Sequence, residues 1–293
     1  MLLSAAEFVA SYGAIGADKT KTPALKLFLL GILAGFLIGM GGAVTNTAAH
    51  AIANVSAAKI ACGLLFPFGL IMVILTGAEL FTGNNLITIS ILSKQAMVRG
   101  MLRNWSIVYL GNFTGSVALA AACAYSGQMN LSYGGLGGYA IKVAAAKCSL
   151  SFGQAVILGI LCNILVCIAV MCALCGKDTV GKAIGAFVPI AFFVIAGFEH
   201  SVANMFYIPA GLFALTVPKY AEAAAAAGVN TAALTWSGFL LRNLWPVTLG
   251  NILGGCGFAA LIWAVHRKRP ERAGEKELVK ESRSPDAEGV PEH

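Results

Sequence analysis

Charged residues are scarce in this sequence. Only 11% of its 293 residues are Asp, Glu, Lys or Arg, and 58% are hydrophobic. Soluble domains carry about 25% charged residues, so the composition excludes an ordinary soluble domain and indicates an integral membrane protein. The basic residues border apolar runs instead of forming one patch, which argues against nucleic acid as a partner. The first 17 residues lack the basic start and cleavage site of a signal peptide, and we expect a short amphipathic helix there.

Metal-ligating patterns are lacking as well. Seven of the eight cysteines lie inside apolar runs, Cys148 being the exception, and Cys172 and Cys175 have neither a second pair nor a histidine nearby. Cysteines in such surroundings usually pack as small hydrophobic side chains. We therefore expect no metal and no cofactor, and we do not expect an enzyme.

Six apolar runs are long enough to cross a hydrocarbon core of about 30 Å. The second and the fifth run are interrupted by polar residues, and the second continues through Asn85–Leu92 after its interruption. The sequence thus predicts an all-α integral membrane protein with six crossings and two broken helices. The runs are Ala24–Val44, Ile60–Leu75, Trp105–Ala124, Gly153–Cys175, Ala183–Gly197 with a continuation to Leu215, and Leu244–Val265.

One polar pattern occurs at both interruptions. The run Gly77–Asn84 (GAELFTGN) recurs as Gly197–Asn204 (GFEHSVAN), with Gly, Glu and Asn at the same spacing. After each copy, an Arg-Asn pair stands eight residues before a Gly-Asn pair, at Arg103 and again at Arg242. Because each copy contains three crossings, the second must enter the membrane upside down. Breaks at matching positions of two inverted repeats predict a translocation site.

The positions of the basic residues predict the orientation. With six crossings, fifteen of the 20 Lys and Arg residues fall on the side of the two termini, which favours both termini in the cytoplasm. The same pattern divides the chain into a cytoplasmic amphipathic segment over 1–23, a channel domain over 24–266 and a charged tail over 267–293. The tail has seven basic and seven acidic residues, and we expect it to be disordered.

The two interruptions contain ionisable and polar side chains that could contact a solute. Ionisable groups at membrane depth are costly and usually face a cavity or a partner. A broken helix also frees backbone groups that lipid cannot satisfy, so Glu79 and Glu199 are expected to brace the breaks. The two copies differ at Thr82, which has no hydroxyl counterpart, and at His200, which has no imidazole counterpart. We expect these two to meet near the midplane and to line a pore. Polar side chains expected to tie the breaks to neighbouring helices are Asn84, Asn204, Asn112, Asn251 and Asn163.

These residues resemble the formate/nitrite transporter family over about Ala5 to His266. The runs that carry the resemblance are Gly77–Thr82, Gly159–Asn163 (GILCN), Gly197–Phe206 (GFEHSVANMF) and Pro246–Gly255 (PVTLGNILGG). The resemblance implies an aquaporin-like protomer with its own pore, assembled as a homopentamer in the plasma (inner) membrane of a prokaryote. It further implies a small monovalent anion as substrate: formate, nitrite or hydrosulfide.

The resemblance also implies roles for individual positions. Thr82 and His200 match the central pore pair, and Lys147 matches a lysine that lends positive potential near the histidine. The resemblance also implies an apolar ring in the pore, which excludes hydrated ions and gates by dewetting. Glu79 departs from formate channels that carry Asp at this position. The matched constriction positions are Phe66, Leu70 and Phe193, with Leu80 and Phe81 on the broken-helix loop beside the pore.

A protonated His200 that passes its proton to the arriving anion would let a neutral acid cross the apolar ring. This hypothesis predicts pH-dependent transport of weak-acid anions, with formate or nitrite as the leading substrates. Hydrosulfide is the alternative within the same chemistry. A pore for neutral solutes fits the fold, but neither break has the Asn-Pro-Ala sequence of aquaporins. A haem-binding electron carrier would need two axial ligands, and only His50 and His200 precede the membrane exit.

Overall fold

The computed structural model describes residues 3–267, and every regular element in that range is a helix. Six apolar helical segments are long enough to span a membrane, which confirms the predicted all-α integral membrane fold with six crossings. The inversion of the second repeat stays a prediction, as does the division into segments. Apart from Arg267, the predicted tail lies outside the described residues. The six spans are Ala24–Ala49, Val55–Thr76, Val98–Tyr125, Phe152–Cys175, Thr179–Ala196 and Gly238–His266.

The first half of the chain begins with a helix that the sequence marks at its start. The Ser4 hydroxyl accepts a hydrogen bond from the Glu7 backbone N–H, and the Glu7 side chain accepts one from the Ser4 N–H, which together form a capping box. The elements of this half are α1 (Ala5–Lys21), α2 (Ala24–Ala49), α3 (Val55–Leu65), α4 (Pro67–Thr76), a 3-10 turn (Gly83–Leu86), α5 (Ile87–Leu92) and α6 (Val98–Tyr125).

The second half repeats this order with longer pieces after its break. Its last span begins as a π-helix over Gly238–Leu244 that continues directly into the final α-helix. The elements are α7 (Gly135–Cys148), α8 (Phe152–Cys175), α9 (Thr179–Ala196), α10 (Ser201–Leu215), α11 (Pro218–Ala226) and α12 (Trp245–His266).

Two helix pairs cross at glycines: α2 with α6, and α8 with α12. A Cβ atom on Gly35 would overlap the Asn112 backbone, and one on Gly250 would overlap the Val156 carbonyl. Small residues allow helix backbones to approach this closely in lipid, where no hydrophobic force draws helices together. These crossings hold the helices that flank the two breaks.

The two breaks begin in the same way. Helices α4 and α9 end at Gly77 and Gly197, whose φ angles are 67° and 77°. A left-handed residue commonly terminates a helix, and glycine adopts this conformation without a steric penalty. Between each glycine and the next helix the chain is not helical, and its backbone groups need partners from elsewhere in the protein.

Helix α1 is part of the packed structure. Phe8, Val9 and Tyr12 are buried where α1 lies against α5 and α12. The Ser90 hydroxyl donates to the Tyr12 carbonyl at 3.1 Å, which fixes α1 to α5 by its backbone. The first helix is therefore positioned directly beside the first break.

Candidate translocation site

The two breaks bring one side chain each to a common point. The Thr82 hydroxyl and the His200 Nε2 atom lie 2.8 Å apart, and both residues are buried. Thr82 ends the first break just before the 3-10 turn, and His200 is the N-cap residue of α10. The asymmetric positions of the duplicated motif are thus brought into direct contact.

The second nitrogen of His200 has a structural partner. The Ala203 backbone N–H donates to His200 Nδ1 at 3.0 Å, so the imidazole takes the capping role that Ser, Asp or Asn usually fills. Because Nδ1 accepts this bond, a neutral ring carries its proton on Nε2. Nε2–H then donates to the Thr82 oxygen, and the Thr82 hydroxyl hydrogen is left to donate to another group.

Each break is tied to a neighbouring helix by one asparagine. Asn112 on α6 accepts from the Phe81 N–H at 2.9 Å and donates to the Glu79 carbonyl at 2.9 Å. It also donates to the Gly31 carbonyl on α2 at 2.8 Å. One amide therefore satisfies two of the backbone groups that the break exposes. Asn251 on α12 does the same in the second half, with Ser201 N–H, Glu199 O and Gly159 O as partners.

Glu79 lies at the centre of a polar cluster in the first half. Its carboxylate accepts from Lys19 at 2.6 Å and from the Asn84 amide at 2.6 Å. Asn84 also donates to Asn104, which in turn donates to the Lys19 carbonyl. A carboxylate buried at this depth needs such partners to stay charged.

Glu199 has a matching cluster in the second half. Lys147 lies 2.8 Å from one carboxylate oxygen, and Asn204 donates to the other at 2.6 Å. Asn243 donates to the Lys147 carbonyl at 2.9 Å and accepts from Asn204. The Lys147 ammonium also lies 5.4 Å from the centre of the Tyr207 ring. Much of its charge is therefore directed at Glu199 instead of at the open cavity.

Asn163 connects the two halves at the break. Its amide donates to the Thr82 carbonyl at 3.3 Å and to the Asn251 carbonyl at 2.6 Å. The residue that carries the pore hydroxyl is thus held by α8, a helix of the other half. This bond fixes Thr82 relative to His200.

A narrow apolar gap adjoins the Thr82–His200 pair. Its volume is about 10 Å³, which leaves room for at most about one water molecule. The rings of Phe66 and Phe193 meet edge to face at 5.8 Å, and the Phe193 ring lies 5.9 Å from His200. The residues lining the gap are Ile38, Phe66, Leu70, Leu80, Val166, Ile190, Phe193 and His200.

Phe81 does not line this gap. Its ring packs edge to face on Tyr109 at 4.8 Å and on Trp105 at 5.9 Å. Leu80 lines the gap, whereas the Phe81 ring packs towards α6, which carries both partner rings. The place of Phe81 in a constriction beside the pore stays a prediction.

A wide vestibule lies on one side of the gap. Its volume is about 650 Å³, and it reaches Phe66, Phe193 and His200 at its inner end. Lys59, Lys142 and Lys147 all line it, whereas Glu199 is the one acidic residue among its lining residues. The vestibule therefore presents positive charge to a solute that approaches the gap.

Six site residues were missed by sequence reasoning. Lys19 is the partner of Glu79, but its distance along the chain differs from that between Lys147 and Glu199, so no fixed spacing marks it. Asn104 and Asn243 belong to the duplicated Arg-Asn pairs, and this repetition could have marked them as site residues. The apolar residues Ile38, Val166 and Ile190 lie on helices that are apolar on all sides, where no pattern marks the pore-facing side.

Neither His50 nor His200 has a free ring nitrogen to act as an axial haem ligand. His50 Nδ1 lies 2.7 Å from the Thr47 carbonyl, and its Nε2 lies 2.8 Å from the Ser132 hydroxyl. Both ring nitrogens of His200 are likewise occupied. The arrangement therefore does not suit an electron carrier.

The family model described as formate/nitrite transporter matches residues 6–265. This chain belongs to that family, which confirms the resemblance seen in its motifs. The chain is 37% identical over 284 residues to a "Probable formate transporter" of Methanothermobacter thermautotrophicus, covering 90% of this chain and 97% of the relative. It is 39% identical over 254 residues to "Formate channel FocA" of Haemophilus influenzae, covering 85% and 87% of the two chains.

Two solved structures have the same fold. One is titled "Pentameric formate channel with formate bound", with a TM-score of 0.74 and 35% identity, covering 83% of this chain and 96% of the other. The second is titled "FNT family ion channel", with a TM-score of 0.77 and 26% identity, covering 89% and 99%. The chain is thus a multi-pass membrane protein of a family of channels and transporters.

Proposed function

We propose that this protein is a channel for small monovalent weak-acid anions, with formate as the leading substrate. The observation that carries the proposal is the Thr82–His200 hydrogen bond of 2.8 Å beside an apolar gap of about 10 Å³. A polar pair buried next to an apolar ring is suited to a solute that changes its hydration or its charge on the way. The relatives named as formate channels and a formate transporter support the choice of substrate.

Capture begins in the vestibule. Lys59, Lys142 and Lys147 outnumber Glu199, the acidic residue that lines the same wall, so the net field of the wall concentrates anions near the gap. The N-terminus of α10 adds positive potential at His200, its N-cap residue. A cation meets the opposite field and is repelled. The vestibule therefore favours solutes with negative charge, and the gap then favours those anions that can form a neutral acid.

The gap then imposes a desolvation cost. A space for about one water molecule cannot hold a hydrated anion, and burying a bare charge among Phe66, Leu70 and Phe193 is strongly unfavourable. A neutral acid of the same size avoids most of this cost. Weak-acid anions such as formate, nitrite and hydrosulfide can cross as neutral acids. Chloride has no stable neutral acid in water and is excluded.

His200 supplies the proton in this proposal. A ring protonated on both nitrogens gives its Nε2 proton to the anion, directly or through the Thr82 hydroxyl, and is left neutral with its remaining proton on Nδ1. The form that accepts from the Ala203 N–H returns once Nε2 takes up a proton and the Nδ1 proton is lost to water. Charging the ring places a second proton on Nδ1, which breaks the bond from the Ala203 N–H and adds a cation at a helix N-terminus. An anion beside Nε2 offsets both costs. Protonation and substrate entry are therefore coupled.

The remaining expectations belong to this proposal. We infer a homopentamer with one pore in each protomer, in the inner membrane of a prokaryote, with both termini in the cytoplasm. The pentameric structure among the relatives and the basic residues near the termini support this arrangement. Lipid is then a partner for the outward-facing apolar side chains.

Anion flux into proteoliposomes tests the function directly. Purified protein is reconstituted, and uptake of formate, nitrite, hydrosulfide and chloride is followed at matched gradients. We expect formate, and to a lesser or equal extent nitrite and hydrosulfide, to enter much faster than chloride. Chloride flux equal to formate flux would refute the weak-acid mechanism, and flux of neutral solutes alone would indicate an aquaporin-like pore.

A further inference from the structure

The vestibule is much larger than the anion that the proposed function assigns to it. A volume of about 650 Å³ falls within the range of about 300–1,000 Å³ that sites for drug-sized molecules occupy. A one-carbon anion would use only a small part of this space. Aromatic rings supply flat apolar surface in its wall, from Phe66, Tyr139, Phe193, Phe198 and Tyr207.

Positive charge in the vestibule is only partly neutralised. Between residues 3 and 267 the ion pairs include Lys147 with Glu199, but none of them includes Lys59 or Lys142. The Lys59 ammonium lies at the second break, 3.2 Å from where a Cβ on Gly197 would stand. An exposed cation without an acidic partner is thus present in the vestibule wall, beside the second break.

A buried hydrogen-bond donor at the same cavity has no partner. Asn46 is 5% exposed and lines the vestibule, and its amide Nδ2 makes no hydrogen bond within the described residues. Buried amide groups nearly always have a partner, so an unpaired one indicates a ligand or a water molecule. A half-turn of the amide exchanges its donor and acceptor, which lets it serve a ligand from either position. A carboxylate accepts such a bond and pairs with an ammonium.

We propose that the vestibule is a binding site for aromatic monocarboxylates of about the size of benzoate. Lys59 and the Asn46 amide hold the carboxylate, and the ring packs on the aromatic wall. Such a ligand is too wide for the gap of about 10 Å³, so it stops in the vestibule and excludes the small anion. Binding is independent of the proposed channel function, whereas the block of anion flux rests on it.

Binding is tested on the full-length protein in lipid nanodiscs with para-fluorobenzoate, followed by fluorine NMR. The variants are Asn46→Leu and Lys59→Gln, with Lys177→Gln as a control that removes an equal charge from an exposed position outside the vestibule. We expect each vestibule variant to weaken binding roughly tenfold, since each removes a hydrogen bond to a charged group. The control should bind like wild type. Asn46→Leu is expected to fold, because removing an unpaired buried donor costs little.

Two controls separate this site from other outcomes. Neutral para-fluorobenzamide has the same ring without the charge, and it should bind far more weakly than the acid. Equal affinity of all four proteins for para-fluorobenzoate, or equal binding of the amide, would overturn the proposal and indicate partition into lipid. In proteoliposomes, the acid should inhibit formate uptake in wild type and less in the two variants. If binding follows the expected pattern but formate uptake is absent, the site stands and the channel function fails.

Discussion

His200 occupies a position in which one ring nitrogen supports the fold and the other faces the pore. Its Nδ1 caps α10 through the Ala203 N–H, and its Nε2 contacts Thr82. A replacement therefore has to preserve the cap if it is to report on transport alone. Asn is among the best N-cap residues, so His200→Asn keeps this support and removes the titratable ring.

His200→Asn should flatten the pH dependence of formate uptake. Only the imidazole can gain and lose a proton, so only wild type should respond when the external pH is stepped between about pH 5 and pH 8. Wild type is expected to transport faster as the pH falls through this range, because more of the site can deliver a proton to the anion. Uptake into proteoliposomes at stepped external pH measures the effect, and His200→Ala is the comparison that also loses the cap. An unchanged profile in the Asn variant would mean that the histidine is structural.

Lys147 forms a buried ion pair with Glu199 in addition to lining the vestibule. The resemblance implies that it lends positive potential near the histidine, and in the structure it also lies 2.8 Å from Glu199, whose side chain is 7% exposed. Removing one partner of such a pair leaves a buried charge without compensation, which typically costs about 3–5 kcal/mol. The residue is therefore as much a structural element of the second break as a source of positive potential.

Lys147→Gln should accordingly lower the thermal stability of the protein, by roughly 3 kcal/mol in free energy of unfolding. The double variant Lys147→Gln with Glu199→Gln removes both charges and should recover most of the loss. Unfolding followed by tryptophan fluorescence in detergent gives the comparison, with Lys177→Gln as the exposed control. Additive losses in the double variant would show that the pair is not coupled.

At the scale of helices, the constriction combines residues from four elements. Phe66 lies between α3 and α4, Leu70 on α4 and Phe193 on α9, and Leu80 comes from the break. No single helix forms the gap, so its width depends on how α4 and α9 are held. A Cβ atom on Gly69 of α4 would lie 3.1 Å from the Leu37 carbonyl oxygen on α2, and one on Gly185 of α9 would lie 2.8 Å from the Cys172 backbone on α8, so both helices pack closely on a neighbour.

Truncating the ring of the constriction should raise the leak of chloride. Phe66→Ala, Leu70→Ala and Phe193→Ala each remove a side chain that keeps the gap dry, and a wider gap admits hydrated ions. Chloride uptake relative to formate uptake is the measured ratio. Phe68→Ala is the matched control, because Phe68 lies on the same helix but is 53% exposed. Wild-type selectivity in all three variants would place the constriction elsewhere.

The crossing of α2 and α6 can be tested by adding a single carbon. Gly35→Ala places a Cβ against the Asn112 backbone, whereas Gly257→Ala meets no atom within 4 Å. Overpacking typically costs about 1–3 kcal/mol, and here it would also displace the asparagine that braces the first break. We expect Gly35→Ala to reduce the yield of folded protein and Gly257→Ala to leave it unchanged. Size-exclusion profiles after detergent extraction measure both, and equal yields would contradict the close crossing.

At the scale of the molecule, the predictable features were those that repeat. The duplicated Gly-Glu-Asn motif located both breaks, and the apolar runs located the six spans to within several residues, because both signals are written in residue type and spacing. Lys19 could not be predicted as the partner of Glu79, since an ion pair between distant segments depends on how α1 docks. The pore-facing side of a helix that is apolar all round could not be predicted either, because no pattern in its sequence distinguishes that side. Ile38 and Val166 are examples.

The orientation of the whole molecule remains a prediction from its basic residues. Arg99 is exposed in the first turn of α6, at the helix end that should be cytoplasmic, and Leu131 is 50% exposed in the connection before α7, which should face outward. A membrane-impermeant maleimide applied to intact cells should therefore label Leu131→Cys and spare Arg99→Cys. Cys62, Cys172 and Cys256 are partly exposed, so both variants need a background in which these three are replaced by Ala.

The labelling also has an internal check in the buried thiol of Cys148. Burial raises the pKa of this thiol to about 11, so it stays protonated at neutral pH and reacts slowly. The protein without Cys62, Cys172 and Cys256 has only buried cysteines and should show little labelling on either side. After the cells are opened, Arg99→Cys should become labelled while Leu131→Cys gains nothing. Strong labelling of Arg99→Cys in intact cells would reverse the orientation, and the vestibule with Lys59 and Lys142 would then face the cytoplasm and collect anions for export.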